Sequence, residues 1–139
     1  MKNKPQLADV TTTNPETVQL GQPLSQVYDL LQDRNFHHVP VIDGNKPVGM
    51  ISATDILKLV YDVEGHDDRM LRTMLDHQFT LEDAMSTELL TVASGGSLGT
   101  VVDYLSSGTA HSVLVVNNDG TLEGIVTTSD LIRQLGELL

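Results

Sequence analysis

The 139-residue sequence contains no cysteine, which excludes disulfides, thiolate nucleophiles and cysteine-ligated zinc. Basic residues are scarce: 8 Lys and Arg stand against 19 Asp and Glu, for a formal net charge of −11. A nucleic-acid binder needs a Lys/Arg face to displace counterions from phosphates, and these few scattered cations make none. Long apolar runs are missing as well. Stretches such as "VLVV" at 113–116 fall far short of the roughly 20 residues that span a bilayer, and polar "TTTNPET" follows "MKNKP" where a signal peptide would place its apolar stretch. The expectation is a cytoplasmic protein with no nucleic-acid and no membrane partner.

What the chain does have is a repeat. "GMISATD" at 49–55 returns as "GIVTTSD" at 124–130. Upstream, an offset of 74 pairs Asp9 with Asp83, Thr17 with Thr91, Val18 with Val92, Leu24 with Leu98, His37 with His111 and Val41 with Val115. One extra residue in "NNDGTLEG" makes the offset 75 and pairs Gly49 with Gly124, Ser52 with Thr127 and Asp55 with Asp130. The insertion falls in turn chemistry, where added residues are tolerated.

Each half reads as strand, helix, strand, strand, helix. Leu24, Val27, Leu30 and Leu31, and likewise Leu98, Val101, Val102 and Leu105, follow helical spacing. "VPVI" and "VLVV" are short β-branched runs ended by "DGNKP" and "NNDG", and each is followed by a second short apolar run, which predicts a hairpin. Past the heptads, Ile56, Leu57 and Val60, and Leu131, Ile132, Leu135 and Leu138, restore the helical period. Half of such a chain buries little apolar surface, so the two α/β units are expected to pack sheet against sheet about a pseudo-twofold axis. The boundaries are residues 5–62 for the first repeat, 63–79 for a connecting helix or linker carrying Met70, Leu71, Met74 and Leu75, and 80–139 for the second repeat.

The doubled heptad has two readings. Ser52 with Asp55, and Thr127 with Asp130, match the capping box [ST]-x-x-[DE] that starts a helix. The same geometry makes a binding site: a helix N-terminus offers N–H groups and a positive dipole end to phosphate, and an Asp one turn in can accept from ribose hydroxyls. Both copies carry a short Asp where Glu caps better, and both carry a Gly at the start of the strand. That favours a nucleoside ligand.

"LEDAMSTELLTV", the "HHVPVID" and "AHSVLVVN" strands and the doubled G-h-h-[ST]-x-x-D together resemble a tandem pair of cystathionine β-synthase (CBS) domains over nearly the whole chain. The resemblance implies two β-α-β-β-α CBS repeats, a stand-alone regulatory module that is no enzyme, and adenosine ligands held in clefts between the repeats. AMP comes first, with ADP, ATP, S-adenosylmethionine and NAD behind it. It implies that Ser52 and Asp55 share one cleft with Ser86, Thr91, His111 and Ser112, and that Thr127 and Asp130 share the other with Thr12, Thr17, His37 and His38. It further implies a homodimer acting on an unknown regulated protein. Many nucleotide-binding relatives carry Arg just before the hydrophobic-Pro-Val strand; His38 and Ser112 stand there in this chain. The clefts are therefore expected to be unequal, with the Asp130 cleft the more favourable to phosphate. The alternative is a structural dimerisation module with vestigial clefts.

Signals of catalysis or metal are weaker. "GGSLG" at 95–99 matches the nucleophile elbow G-x-S-x-G, but the aligned "GQPLS" has Pro23 in place of Ser97 and the chain is short for an α/β-hydrolase sheet, so Ser97 is expected to begin a helix. Adjacent strand residues such as His37 and His38 face opposite sides and cannot chelate one ion, and His66 with Asp67 and Asp68, and His77 with Asp76, read as solvated linker. No metal site is expected.

Overall fold

Short β-branched runs pair into hairpins wherever a turn brings them back, and the computed structural model, which describes residues 4–33, 36–61 and 67–139, shows two of them. β1 is Thr12–Thr13, β2 Val18–Gln19, β3 His38–Asp43, β4 Lys46–Ser52, β5 Thr91–Ala93, β6 Ser112–Val116 and β7 Leu122–Thr127. The helices are α1 Leu7–Val10, α2 Leu24–Gln32, α3 Ala53–Val60, α4 Asp68–Gln78, α5 Leu81–Ala84, α6 Leu98–Ser106 and α7 Thr128–Leu138. Both halves therefore follow the expected strand-helix-strand-strand-helix order, and the connecting helix forms as α4. Part of the linker, including His66, lies outside the described residues.

The repeat extends to backbone detail. β2 runs parallel to β3 with Val18 opposite Val41, and β5 runs parallel to β6 with Val92 opposite Val115. The hairpins β3–β4 and β6–β7 both carry an irregularity just after these residues, at Val41/Ile42 and at Val115/Val116.

Two compact units result, and they do not coincide with the sequence repeats. Unit I is Glu16–Glu88; unit II joins the residues up to Pro15 to Leu89–Leu139. The opening segment of each repeat has crossed to the other repeat's hairpin. In unit I, Ser86 exchanges both backbone hydrogen bonds with Met50 of β4, at 2.9 and 3.0 Å. In unit II, β1 lies antiparallel to β7 with Thr12 opposite Ile125, completing the sheet order β1-β7-β6-β5. Offsets of 74 and 75 relate these two crossings.

Each unit has its own core. In unit I, Val39, Val41 and Ile51 of the hairpin pack with Leu24 and Val27 of α2, Ile56 of α3, Leu75 of α4 and Leu81 of α5. In unit II, Val113, Val115 and Val126 pack with Val101 and Leu105 of α6 and with Leu7 and Val10 of α1. Not every apolar residue at helical spacing enters a core. Val102, Leu57, Ile132, Leu135 and Leu138 are exposed, because one stripe of each helix is enough to cover its sheet. Among the described residues no helix is long and apolar enough to cross a membrane.

Polar contacts fix α4 against α2. Helix α2 starts after Pro23, which offers no side-chain cap, and Asp76 of α4 fills that role by accepting from the Ser25 N–H at 2.8 Å and its Oγ at 2.7 Å. Arg72 pairs with Asp29 at 2.6 Å, and the Tyr28 hydroxyl donates to Asp68. That hydrogen bond, together with partial burial and the charges of Asp68 and Asp29, raises the pKa of Tyr28 above the usual tyrosine value. A raised folded-state pKa on an acid that is neutral at pH 7 contributes stability below the unfolded value of about 10 and loses it as pH climbs through the folded value. Tyr28→Phe is accordingly expected to cost about 1 kcal/mol or less at pH 7. Its urea midpoint should also fall less steeply than that of the wild type above about pH 10; parallel alkaline slopes would remove Tyr28 from the account.

Candidate functional site: two hydroxyl–carboxylate motifs at helix starts

Helices α3 and α7 start where a strand ends, so the last strand residue becomes the N-cap. Ser52 and Thr127 hold extended backbone there (φ −109° and −113°) and accept from the N–H of Asp55 and Asp130. The carboxylates reach back. Asp55 Oδ2 accepts from the Ser52 N–H at 2.8 Å and Oγ at 3.0 Å, and Asp130 Oδ2 accepts from the Thr127 N–H and Oγ1 at the same two distances. Both halves of the capping box are thus made, twice.

A third box tests how far that geometry speaks for a ligand. Thr80 and Asp83 at the start of α5 form the same three contacts, at 2.8, 3.1 and 3.4 Å. Capping therefore accounts for the hydroxyl–carboxylate pair as such. What distinguishes the two heptads is their surroundings: Asp55 and Asp130 are half-buried, whereas Asp83 is exposed.

The glycines of the heptads also have a local cause. A Cβ on Gly124 would lie 2.5 Å from Thr11 Cγ2 and 2.6 Å from the Thr12 carbonyl oxygen; on Gly49 it would lie 2.4 Å from Met85 Sδ. At Gly124 the obstacle includes backbone, so only Gly is admitted; at Gly49 it is the Met85 side chain, which would have to shift for any larger residue.

The expected site residues divide between the units. Unit I holds Ser52, Asp55 and Ser86, together with Thr17, His37 and His38; unit II holds Thr127, Asp130 and Thr12, together with Thr91, His111 and Ser112. Each expected cleft thus draws on both. Within unit I, Ser86 bridges to Met50, two residues before Ser52, and His38 stands directly across the hairpin from Ser52. Within unit II, Thr12 pairs with Ile125, two residues before Thr127, Ser112 stands across from Thr127, and the His111 carbonyl accepts from the Thr128 N–H at 3.3 Å. Thr17, Ser52, Ser112, Thr127 and His38 are half-buried; Thr12, His37, Ser86, Thr91 and His111 are exposed. Ser97 begins α6 as expected, its hydroxyl accepting from Gly99 N–H at 3.1 Å.

One residue escaped the sequence reading. Arg133 donates to Asp130 Oδ1 at 3.1 Å, an i, i+3 pair one turn into α7. The aligned residue of α3 is Lys58, and no ion pair between Lys58 and Asp55 forms among the described residues. D-x-x-R was the available signal. Beside this pair lies a cleft of about 150 Å³ lined by Asp9, Thr11 and Thr12 on one side and by Asp130, Arg133 and Glu137 on the other.

The CBS domain family model matches residues 7–62 and 81–137, and the chain belongs to that family. A solved CBS domain pair in complex with 5′-methylthioadenosine and S-adenosyl-L-methionine superposes with a TM-score of 0.78 at 23% identity, over 97% of this chain and 98% of that one. The CbpB protein of Listeria monocytogenes, solved with c-di-AMP, gives a TM-score of 0.73 at 26% identity, over 95% and 96%. Among curated proteins, the SNF1-related protein kinase regulatory subunit gamma-1 of Arabidopsis thaliana is 29% identical over 126 residues, covering 82% of this chain and 30% of that protein. The chain spans well under half the length of the curated relatives it matches.

Asn retains an oxygen able to accept from the N-cap N–H. Asp55→Asn should therefore lose only the charge–dipole attraction, about 0.3–1 kcal/mol, while Asp55→Ala should cost about 1 kcal/mol more by stripping Ser52 of its acceptor. Urea unfolding of the two variants checks this order; equal losses would mean that the carboxylate does not cap.

Proposed function

We propose that the chain is a regulatory module, acting in the cytoplasm, that binds an adenosine ligand through its two [ST]-x-x-D motifs and passes occupancy on to a partner protein. The observation that carries this reading is the doubled constellation of a half-buried hydroxyl–carboxylate pair two residues from a crossing segment that supplies Ser86 or Thr12. Capping leaves acceptor capacity on each carboxylate, since an ionised Asp has about four lone-pair sites. Asp55 Oδ1 makes no hydrogen bond among the described residues. A ribose presents the hydroxyl donors these oxygens suit, and the first turns of α3 and α7 suit a phosphate. AMP, ADP and ATP are the first candidates. S-adenosylmethionine and NAD are alternatives, and the 26% identical c-di-AMP complex adds a cyclic adenosine dinucleotide.

Thermal shift of nucleotide-stripped protein tests this reading. A ligand at 100 times its Kd stabilises by about 2.7 kcal/mol per site. The shift should vanish in the Asp55→Asn/Asp130→Asn double variant, which stays folded. No shift with any of these ligands at millimolar concentration would favour a dimerisation module with vestigial clefts.

A homodimer belongs to the proposal on separate grounds. Leu57 and Tyr61 at α3 are 60% and 80% exposed, and Ile132 and Leu135 on α7 are 62% and 51% exposed. Apolar helix faces of this kind ask for a partner surface, and a second copy is the commonest one. Light scattering at micromolar concentration should give about twice the 15.1 kDa of one chain; a monomer refutes it.

A further inference from the structure

The cleft beside Asp130 has two walls of different kinds. One is α7, continuous with β7 and packed on the sheet. The other is the segment from Lys4 to Thr13, which supplies Asp9, Thr11 and Thr12. That segment is held by Leu7 and Val10, buried in the core of unit II, by the two-residue β1, whose one neighbour among the described residues is β7, and by the Asn14 N–H, which donates to the Glu123 carbonyl at 3.3 Å. Beyond it the chain leaves unit II through Asn14, at φ +50°, and Pro15. Asn takes the left-handed region more readily than other non-glycine residues, and with the proline after it it sets a local bend where the segment ends. Docking also brings the carboxylate of Asp9 into the cleft lined by Asp130, which pairs with Arg133. Like charges there oppose closure.

The equivalent segment of unit I is better secured. Leu81–Ser86 is preceded in the same unit by α4, whose Leu75 is buried in the core, and Phe79 packs on that core ahead of it. The two walls are related by the repeat and differ in how they are tied down.

We propose that residues 4–13 form a separable wall of the Asp130 site, so that adenosine-ligand binding there and docking of the segment stabilise each other. A ligand touching both walls binds only the docked state, and linkage makes the effect mutual. The coupling rests on the nucleotide reading above; the separability does not.

Two experiments keep them distinct. In unliganded protein, hydrogen exchange of amides 7–14 should run ahead of Ser86 and of β6. If they exchange only with the core, the separable wall is overturned whether or not nucleotide binds. The second experiment exploits the absence of cysteine. Thr12→Cys with Ile125→Cys places a staple across the β1–β7 pair, made in the Asp55→Asn background so that one motif is read. AMP affinity by calorimetry should be several-fold tighter in the oxidised form and return on reduction, each form serving as reference for the other. Gly124→Ala, whose Cβ would press on Thr11 and Thr12, should weaken AMP about tenfold with the β6 amides still protected. Equal affinity in oxidised and reduced forms overturns the coupling. AMP bound neither by these forms nor by the Asp55→Asn protein with Thr12 and Ile125 intact, with the segment exchanging early, overturns AMP binding at Asp130 and the coupling and supports the separable wall.

Discussion

The architecture depends on one close approach made twice: the backbone of a crossing segment laid against the hairpin of the other repeat, at Gly124 in unit II and at Gly49 in unit I. A side chain at Gly124 would collide with the Thr12 carbonyl, and one at Gly49 with the side chain of Met85. From this follow the pairing of Thr12 with Ile125 and of Ser86 with Met50, the burial of Leu7 and Leu81 beside cores assembled mostly from the other repeat, and the division of the chain into units that cut across its sequence repeats. A half-length fragment ending between the repeats would lack one segment of its own core. The repeat is consequently a unit of sequence, while folding stability belongs to the exchanged arrangement.

That constraint also sorts the sequence signals. The glycines of the heptads looked like provision for a ligand, and the geometry assigns them to the crossing strands. The hydroxyl and the Asp looked ambiguous between cap and ligand, and the geometry makes them a cap without exhausting them, because a carboxylate that accepts two hydrogen bonds retains further lone pairs. Thr80 and Asp83 form the same box at an exposed helix start. The two heptads thus differ from an ordinary capping box in their surroundings, which come from residues distant in sequence.

The order of elements was legible because each depends on local periodicity: β-branched runs bounded by Asp-Gly turns became β3–β4 and β6–β7, and the spacing of Leu24 and Val27, or of Val101 and Leu105, became α2 and α6. The crossings were not legible. "LADVTTT" carries no signal that it pairs with β7, more than a hundred residues on, since a two-residue strand has no period to read. Periodicity likewise could not say where an apolar stripe stops being core, which is why Val102 and Leu57 lie exposed. Arg133 was invisible for a third reason: an i, i+3 pair on a helix is ordinary surface chemistry until a cleft is found beside it.

Repetition of sequence did not make the two motifs equal. Asp55 keeps Oδ1 uncommitted among the described residues, whereas Asp130 shares its own with Arg133. The insertion that changed the offset lies in the β6–β7 turn and leaves both motifs in register, so the difference arises from side chains and from the way each crossing segment is tied to the chain. A carboxylate neutralised by a guanidinium exerts less repulsion on an incoming phosphate than a bare one does, and it also presents fewer free acceptors to a sugar. The two motifs consequently trade acceptor capacity against charge. Pseudo-symmetry in the backbone thus leaves the two motifs chemically inequivalent.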